Sequence, residues 1–395
     1  MILSLIWKAV TLVNNIENLL MKMCPDGIQF KKIKEICSEV IVPMRDRPKV
    51  FDGEIPWCRI EDIEGKFFNK SLSGLKVSQE VIKEMNLKVF PMGTVICSCS
   101  ASIGVYAINT QPLITNQTFI GLVCGKEICN KYLLYFMETQ TKNLIRQATT
   151  GTIPYISRNK FEELEVPVPP MEIQQEIVRI LDRFTELEAG LQAELDVRKK
   201  QYEYYKMKLL SFGEDVPVKE LRKTCNMKAG KAISASNISE SKNEVQKYAC
   251  FGGNGVRGYV EFQSHKGEYP LIGRQGALCG NVNYATGDFY ATEHAVVVTS
   301  LGEYTQRFLY YLLMAMNLNQ YKSQGAQPGL AVGNIEKLLA PVPTIEEQQR
   351  IVTVLDTFEV ICNDYSRGLP AEIEARHKQY EHYRDKLLTF KRKVV

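Results

Sequence analysis

One thirteen-residue phrase is written twice in this chain of 395 residues, as KQYEYYKMKLLSF at 200–212 and KQYEHYRDKLLTF at 378–390. The match extends outward from both copies. PVPPMEIQQEIVRILDRF (167–184) answers PVPTIEEQQRIVTVLDTF (341–358), and AELDVRKKQYEYY (193–205) answers AEIEARHKQYEHY (371–383). Upstream, GTIPYISRNKFEELE (151–165) lines up with GAQPGLAVGNIEKLL (325–339), pairing Gly151 with Gly325, Pro154 with Pro328 and Leu164 with Leu338. The entry segments DGIQFKKIKEIC (26–37) and DVPVKELRKTC (215–225) also correspond. An offset of roughly 175–190 residues is far longer than a solenoid repeat and reads as a duplicated domain. The chain is therefore expected to be a tandem pseudo-dimer with an internal twofold relation.

Within each copy, the segment after Pro-Val-Pro has helical periodicity. Ile173, Ile177, Ile180, Phe184, Leu187, Leu191, Leu195, Tyr202 and Tyr205 recur at three- and four-residue spacing, as do Ile351, Val354, Phe358, Ile361, Tyr365, Leu369, Ile373, Tyr380 and Tyr383. About 40 helical residues would run for about 60 Å, too long for one small core to wrap, so the two helices are expected to pack on each other as a coiled coil. Their tyrosines then serve core packing before any stacking on bases. Residues 171–188 carry five acids and two bases and 194–208 five bases and three acids, a polarity that 345–364 and 371–395 repeat. Antiparallel pairing would set each acidic half against the other helix's basic half and hold the two globular segments at opposite ends of a rod. Between Phe184 and Gly190 lie five residues, against nine between Phe358 and Gly368, which suggests one additional helical turn. Gly368-Leu369-Pro370 marks a place where the second helix is kinked or restarts, since proline suits a first turn and breaks an interior.

The segments enclosed by this frame read as mixed α/β. GTVICSCS, IGLVCG, YPLIGR and AVVVTS are β-rich, while NKYLLYFMETQTKNLI and TQRFLYYLLMAMNLNQY have the helical period. Outside the frame the two segments match each other poorly. With 45% apolar and 24% charged residues, the composition is that of ordinary globular domains, and a net charge of +4 permits a nucleic-acid partner without demanding one. Eleven cysteines without CxxC spacing and four histidines point to buried reduced thiols and to no metal site. Residues 1–25 read as an N-terminal extension with a short amphipathic helix, lacking the charge pattern of a signal peptide and the length of a membrane span.

Taken together, ISRNKFEELEVPVPPMEIQQEIVRILD and GNIEKLLAPVPTIEEQQRIVTVLD, with the repeated helix endings, resemble the specificity subunits of type I restriction-modification systems. DGEIPWCRIEDI (52–63), FGGNG (251–255), LIGRQGALCGNV (271–282) and FYATEHAVVV (289–298) add to the likeness, which spans about Cys24 to Lys393. The resemblance implies an α+β fold of two mixed α/β target-recognition domains, 26–165 and 214–340. These are joined by a central helix (166–213) and a C-terminal helix (341–395) in an antiparallel coiled coil. It also implies a cytoplasmic, non-catalytic reader of a bipartite, asymmetric double-stranded DNA target, without cofactors, that binds two methyltransferase subunits and is joined by restriction subunits. The residues agree: no NPPY-type tetrapeptide, no GxxxxGK[ST] loop and no acid–acid–lysine nuclease cluster is present. A stand-alone bipartite DNA-binding regulator and a structural coiled-coil adaptor are the alternatives.

Base edges in the major groove call for Arg, Asn, Gln, Ser and Thr on exposed loops. In the first domain this selects Arg59, Ser100, Ser102, Gln117 and Arg158, and in the second Asn254, Arg257, Arg274, Gln275 and His294. Arg45 and Arg47 are read as phosphate contacts at most. For the helix and partner interface the periodicity selects Ile177, Phe184, Leu191, Tyr202, Tyr205, Ile351, Phe358, Leu369, Tyr380 and Tyr383.

Overall fold

The computed structural model describes residues 15–150, 152–323 and 328–394. Gly151 and Gly325 of the aligned repeat, and most of the N-terminal extension, lie outside them; residues 15–23 of the extension form a helix. Two compact units divide the chain: Met1–Gly190 with Glu374–Val395, and Leu191–Ile373.

Unit 1 contains strands β1 (Phe30–Lys32), β2 (Cys37–Ile41), β3 (Ile55–Cys58), β4 (Phe67–Phe68), β5 (Lys76–Val77), β6 (Val95–Ser98), β7 (Tyr106–Asn109), β8 (Ile114–Thr115), β9 (Phe119–Cys124) and β10 (Glu165–Pro167). Unit 2 contains β11 (Val218–Glu220), β12 (Cys225–Ala229), β13 (Tyr248–Gly252), β14 (Gly255–Val260), β15 (His265–Gly273), β16 (Val282–Ala291), β17 (Ala295–Ser300) and β18 (Leu339–Pro341). The main sheets run β2-β9-β6-β7-β4 and β12-β17-β15-β16-β13-β14. These are one topology, since β4 lies parallel to β7 as β13 lies parallel to β16. Segments whose sequences do not align thus share a fold, because burial demands only apolar residues in the right rhythm and not particular ones. The β6 run VICS is buried at every position, as an interior strand with both faces covered requires. Small ribbons, β1-β10 and β11-β18, close the base of each unit.

Each sheet packs on a helix with an apolar face, Asn130–Gln147 in unit 1 and Gln306–Ala315 in unit 2. These helices are tied to the repeated frame by a buried glutamine. The Gln174 amide accepts from Cys129 N at 2.8 Å and donates to Glu127 O and Pro169 O, both at 2.8 Å. Gln348 accepts from Thr305 N at 2.8 Å and donates to Glu303 O at 2.8 Å and Pro343 O at 3.0 Å. Both side chains are fully buried, so no water can replace these bonds. Tyr132 and Tyr304 repeat the theme, donating at 3.0 Å to Pro167 O and Pro341 O.

The first long helix is continuous over Met171–Leu209. Within unit 1 the Phe184 ring stacks on Tyr383 at 5.5 Å, and within unit 2 Tyr202 and Tyr205 meet Phe358 at 6.2 and 5.5 Å, the order of an antiparallel pairing. Ile177 and Ile351 are fully buried, Tyr202 and Tyr380 nearly so, and Leu369 packs against the unit 2 core. Leu191 is half-buried and Tyr205 more exposed than the other tyrosines of this set.

The second helix restarts at Gly368-Leu369-Pro370, as its sequence suggests: it is two helices, Ile345–Asn363 and Leu369–Leu387, with Pro370 in the first turn of the latter. Other expectations about the helices change. The four additional residues therefore fall in the interruption instead of adding a helical turn, and Tyr365, expected on the apolar face, is 77% exposed there. Asp364 accepts from Ser366 Oγ at 2.5 Å and Ser366 N at 2.7 Å, a side-chain turn that competes with helical backbone bonds. Finally, several acids of the helix beginnings pair with the globular parts. Asp182 bonds Lys131 Nζ and Tyr135 Oη at 2.6 Å, and Asp356 bonds Arg307 Nε at 2.7 Å and Tyr311 Oη at 2.5 Å. His377 with Glu188, at 3.1 Å, is one pair that does join the two helical frames.

Candidate nucleic-acid interface

In both units the turn between the two middle strands, the residues entering the next strand and the segment leading back to the frame meet by backbone hydrogen bonds. In unit 1, Cys99 N donates to Thr118 O at 2.8 Å, Ile156 N to Cys99 O at 2.8 Å, and Ala101 N to Pro154 O at 3.2 Å, with Ser100 bridged to Tyr155. In unit 2, Arg274 N donates to His294 O at 3.0 Å, Leu330 N to Arg274 O at 2.8 Å, and Gly276 N to Pro328 O at 3.0 Å, with Gln275 bridged to Gly329. The two sets correspond residue for residue. Cys99 takes the place of Arg274, Ser100 of Gln275, Ala101 of Gly276 and Thr118 of His294, and the Pro154/Pro328 register of the aligned sequences is kept. Ala101 and Gly276 both have left-handed backbone, φ 59° and 93°. For an alanine that conformation is costly and is held by its surroundings.

Around this frame the selected side chains gather unevenly. Ser102 and Gln117 are exposed beside Ser100, while their carbonyls accept from Ser98 Oγ at 2.6 Å and from the Cys99 thiol at 3.8 Å. Arg59 follows β3, whose Cys58 O accepts from Asn116 N at 3.4 Å, so it borders the Gln117 loop. Its guanidinium lies 3.8 Å from Glu61, a loose surface pair. Arg158 is exposed but bonds Glu162 at 2.7 Å along its own short helix. In unit 2, Asn254 accepts from Asn281 Nδ2 at 2.8 Å, which ties the β13–β14 turn to the β15–β16 turn carrying Arg274 and Gln275. His294 is half-buried, with Nε2 3.2 Å from Glu293. Arg257 lies beyond the turn on β14, its stem against Gly252. Arg47 is engaged with the Phe51 and Trp57 rings, its guanidinium 5.6 and 5.2 Å from their centroids.

The glycines of LIGRQGALCG are demanded by backbone geometry. A Cβ on Gly273 would lie 1.8 Å from Gly253 O, and one on Gly280 2.4 Å from Asn319 N. The first approach presses the two turns of unit 2 together, and the second sets the β15–β16 turn against the segment Leu318–Tyr321. Sequence reasoning missed Tyr155 and Ile153, on the returning segment, because it sought polar side chains alone. It also passed over Gln174 and Gln348, although the doubled glutamine stands in both copies of the repeat. A third omission is the network of Lys66, Glu138 and Tyr380 in unit 1. The Tyr380 hydroxyl donates to Glu138 at 2.5 Å, and Lys66 lies 4.3 Å over the Tyr135 ring. Burial pulls the Lys66 ammonium below its ordinary pKa, although Glu138 opposes the shift. Among the described residues no group of His, Cys, Asp and Glu could hold a metal ion, and no helix is long and apolar enough to cross a membrane.

The structure thus holds two like α/β units on a duplicated helical frame, each with a three-loop cradle of different side chains. The family model "Type I restriction modification DNA specificity domain" matches residues 25–197 and again 213–375, and the chain belongs to that family. It is 44% identical over 333 residues to the type I restriction enzyme EcoprrI specificity subunit of Escherichia coli, covering 79% of this chain and 82% of that one. Among solved structures, the S subunit of a type I restriction-modification system from M. genitalium matches with a TM-score of 0.59 at 16% identity, covering 92% of this chain and 96% of that one. A chain from a structure described as showing complex assembly and conformational transition of the type I R-M system matches with a TM-score of 0.60, also at 16% identity, covering 92% and 97%. At that identity the likeness concerns the fold. Family membership makes this chain a DNA-specificity subunit with two recognition domains.

Proposed function

We propose that this chain reads a bipartite, asymmetric double-stranded DNA target, one half-site per unit, and directs methyltransferase and restriction subunits of a type I complex to it. The observation that carries this reading is the pair of cradles. One backbone frame presents Ser100, Ser102 and Gln117 in unit 1 and Arg274, Gln275 and His294 in unit 2. Equal frames with unlike side chains suit half-sites of unlike sequence. In this reading Arg59, Arg158, Asn254 and Arg257 are flanking contacts that hold the phosphate backbone or an adjacent base. Recognition domains over 26–165 and 214–340, with two methyltransferase subunits on the helical frame, complete the assembly, which works in the cytoplasm and leaves chemistry to its partners.

The test is to map methylated adenines across the host genome with the gene intact, deleted, and intact in a strain lacking the methyltransferase subunit. A split motif methylated only when both genes are present is expected. A pattern indifferent to this gene would end the proposal.

A further inference from the structure

The two cradles differ where the returning segment crosses the turn. Tyr155 is bridged to Ser100 in unit 1, and Gly329 to Gln275 in unit 2. The Tyr155 backbone is held on both sides, its N–H donating to Thr149 Oγ1 at 3.1 Å and its carbonyl accepting from Thr149 N at 3.0 Å. The residue is nevertheless 37% exposed, two positions from an Ile153 that is 62% exposed. Among the described residues no group bonds the Tyr155 hydroxyl. A backbone bonded on both sides thus holds out an amphipathic residue with a free donor, beside its bridge partner Ser100. Where the same backbone in unit 2 carries no side chain, the neighbouring turn supplies Arg274 and Gln275.

We propose that Tyr155 is a specificity-determining residue of unit 1, which together with Ser100 contacts a thymine in that unit's half-site. The chemistry is complementary: thymine shows the major groove a C5-methyl group, which an apolar ring accepts, and an O4 acceptor, which a hydroxyl proton satisfies. Arg274 and Gln275, which unit 2 carries at the places of Cys99 and Ser100, suit guanine and adenine instead. The side chain at 155/329 therefore decides which kind of base edge its unit reads.

This inference rests on the DNA-reading role proposed above, and one experiment separates the two. The full chain is expressed with its methyltransferase partner as wild type, Tyr155→Phe, Tyr155→Ala and Gly329→Tyr, and the methylated motifs are mapped. A wild-type chain that directs no split motif would refute the reading role itself, and this inference with it. Given a wild-type motif, Tyr155→Ala should relax one A·T position of one half-site, lowering discrimination there by about tenfold to a hundredfold, the range of a single good base contact. Tyr155→Phe, which keeps the ring and loses the donor, should relax the same position less. Gly329→Tyr fits the fold, because a Cβ there would meet Arg274 O at an ordinary 3.6 Å, and should change base preference in the other half-site alone. Unchanged motifs in all variants would overturn the inference. So would a uniform fall in methylation with every base preference intact, which would mark Tyr155 as a support for the loop. Should Tyr155→Ala fail to fold, the Gly329→Tyr motif decides, and an unaltered one overturns it.

Discussion

At the scale of single residues, the molecule separates side chains that read from side chains that hold. Arg274 belongs to the first kind in our proposal. Both its backbone groups are bonded within the cradle, so the fold keeps its place when the side chain is cut back. Arg274→Ala should cost about 1–3 kcal/mol at one half-site and leave the other readable, which duplex-binding measurements on the assembled complex would register. Equal loss at both half-sites would assign it a phosphate or folding role. Gln348 is of the second kind. Gln348→Ala removes three bonds and strands Thr305 N and two carbonyls in a dry site, at about 1–3 kcal/mol for each group left unsatisfied. A urea midpoint unchanged from wild type would refute this. Asp364 gives a test with pH. The Ser366 bond first, and Arg367 after it, hold its carboxyl at about 2, against an ordinary 3.8. The folded value is the lower one, so its stabilisation is present above the unfolded value and is lost as pH falls through about 2. The stability difference between wild type and Asp364→Asn should accordingly shrink on acidification across that window, as thermal melts would record.

At the scale of elements, the interruption between Asn363 and Leu369 is where apolar periodicity and local chemistry disagree, and Gly368-Leu369-Pro370 marks it in the sequence. The apolar rhythm runs through Ile361, Tyr365 and Leu369 without a break, and periodicity alone reads a single helix. What ends it is local competition. Asp364 offers its carboxylate to the following backbone, and Gly368 approaches so closely that a Cβ would lie 2.2 Å from Val360 O. Gly368→Ala should therefore destabilise unit 2 by about 1–3 kcal/mol through overpacking, whereas Gly190→Ala, with open space around a Cβ, should stabilise the first long helix by about 0.5–1 kcal/mol. Paired melting curves would show shifts of opposite sign. The strands were more legible: VICS, IGLVC and AVVV are short apolar runs between turn residues, and each is an interior strand.

Across the whole molecule, unit 1 is assembled from both ends of the chain. Ile28 N donates to Lys391 O at 2.8 Å, Lys393 N donates to Ile28 O at 2.9 Å, and Arg392 bonds Glu165 at 2.6 Å. Tyr380, Leu387 and Leu388 lie in the same apolar core as Ile33 and Tyr132. In unit 2, Leu209, Leu210 and Phe212 of the continuous chain pack against the core. Deleting residues 374–395 should thus loosen the distant segment 26–41 and spare β12–β17. Hydrogen exchange would show lost protection in the former, and loss confined to unit 2 would contradict it. The purified chain, lacking the methyltransferase tetrapeptide, should transfer no methyl group from S-adenosylmethionine until a methyltransferase subunit is added; a labelled-methyl assay on DNA decides.

Sequence alone determined the duplication, the helical frame, the strand-rich character of both inserts and the family. These depend on repeated phrases and on apolar periodicity, which are local in the chain and survive divergence. It also named loops that do converge, because Arg, Asn, Gln and Ser between apolar runs belong at the surface. Only tertiary structure decided that Ser100 and Gln275 occupy one position, that Tyr155 faces outward where Gly329 leaves space, and that Asp182 and Asp356 turn toward the globular helices. Each of these depends on backbone hydrogen bonds or side-chain contacts between segments tens of residues apart. No rhythm within a segment encodes them, since they arise only when the sheets close and bring the loops together.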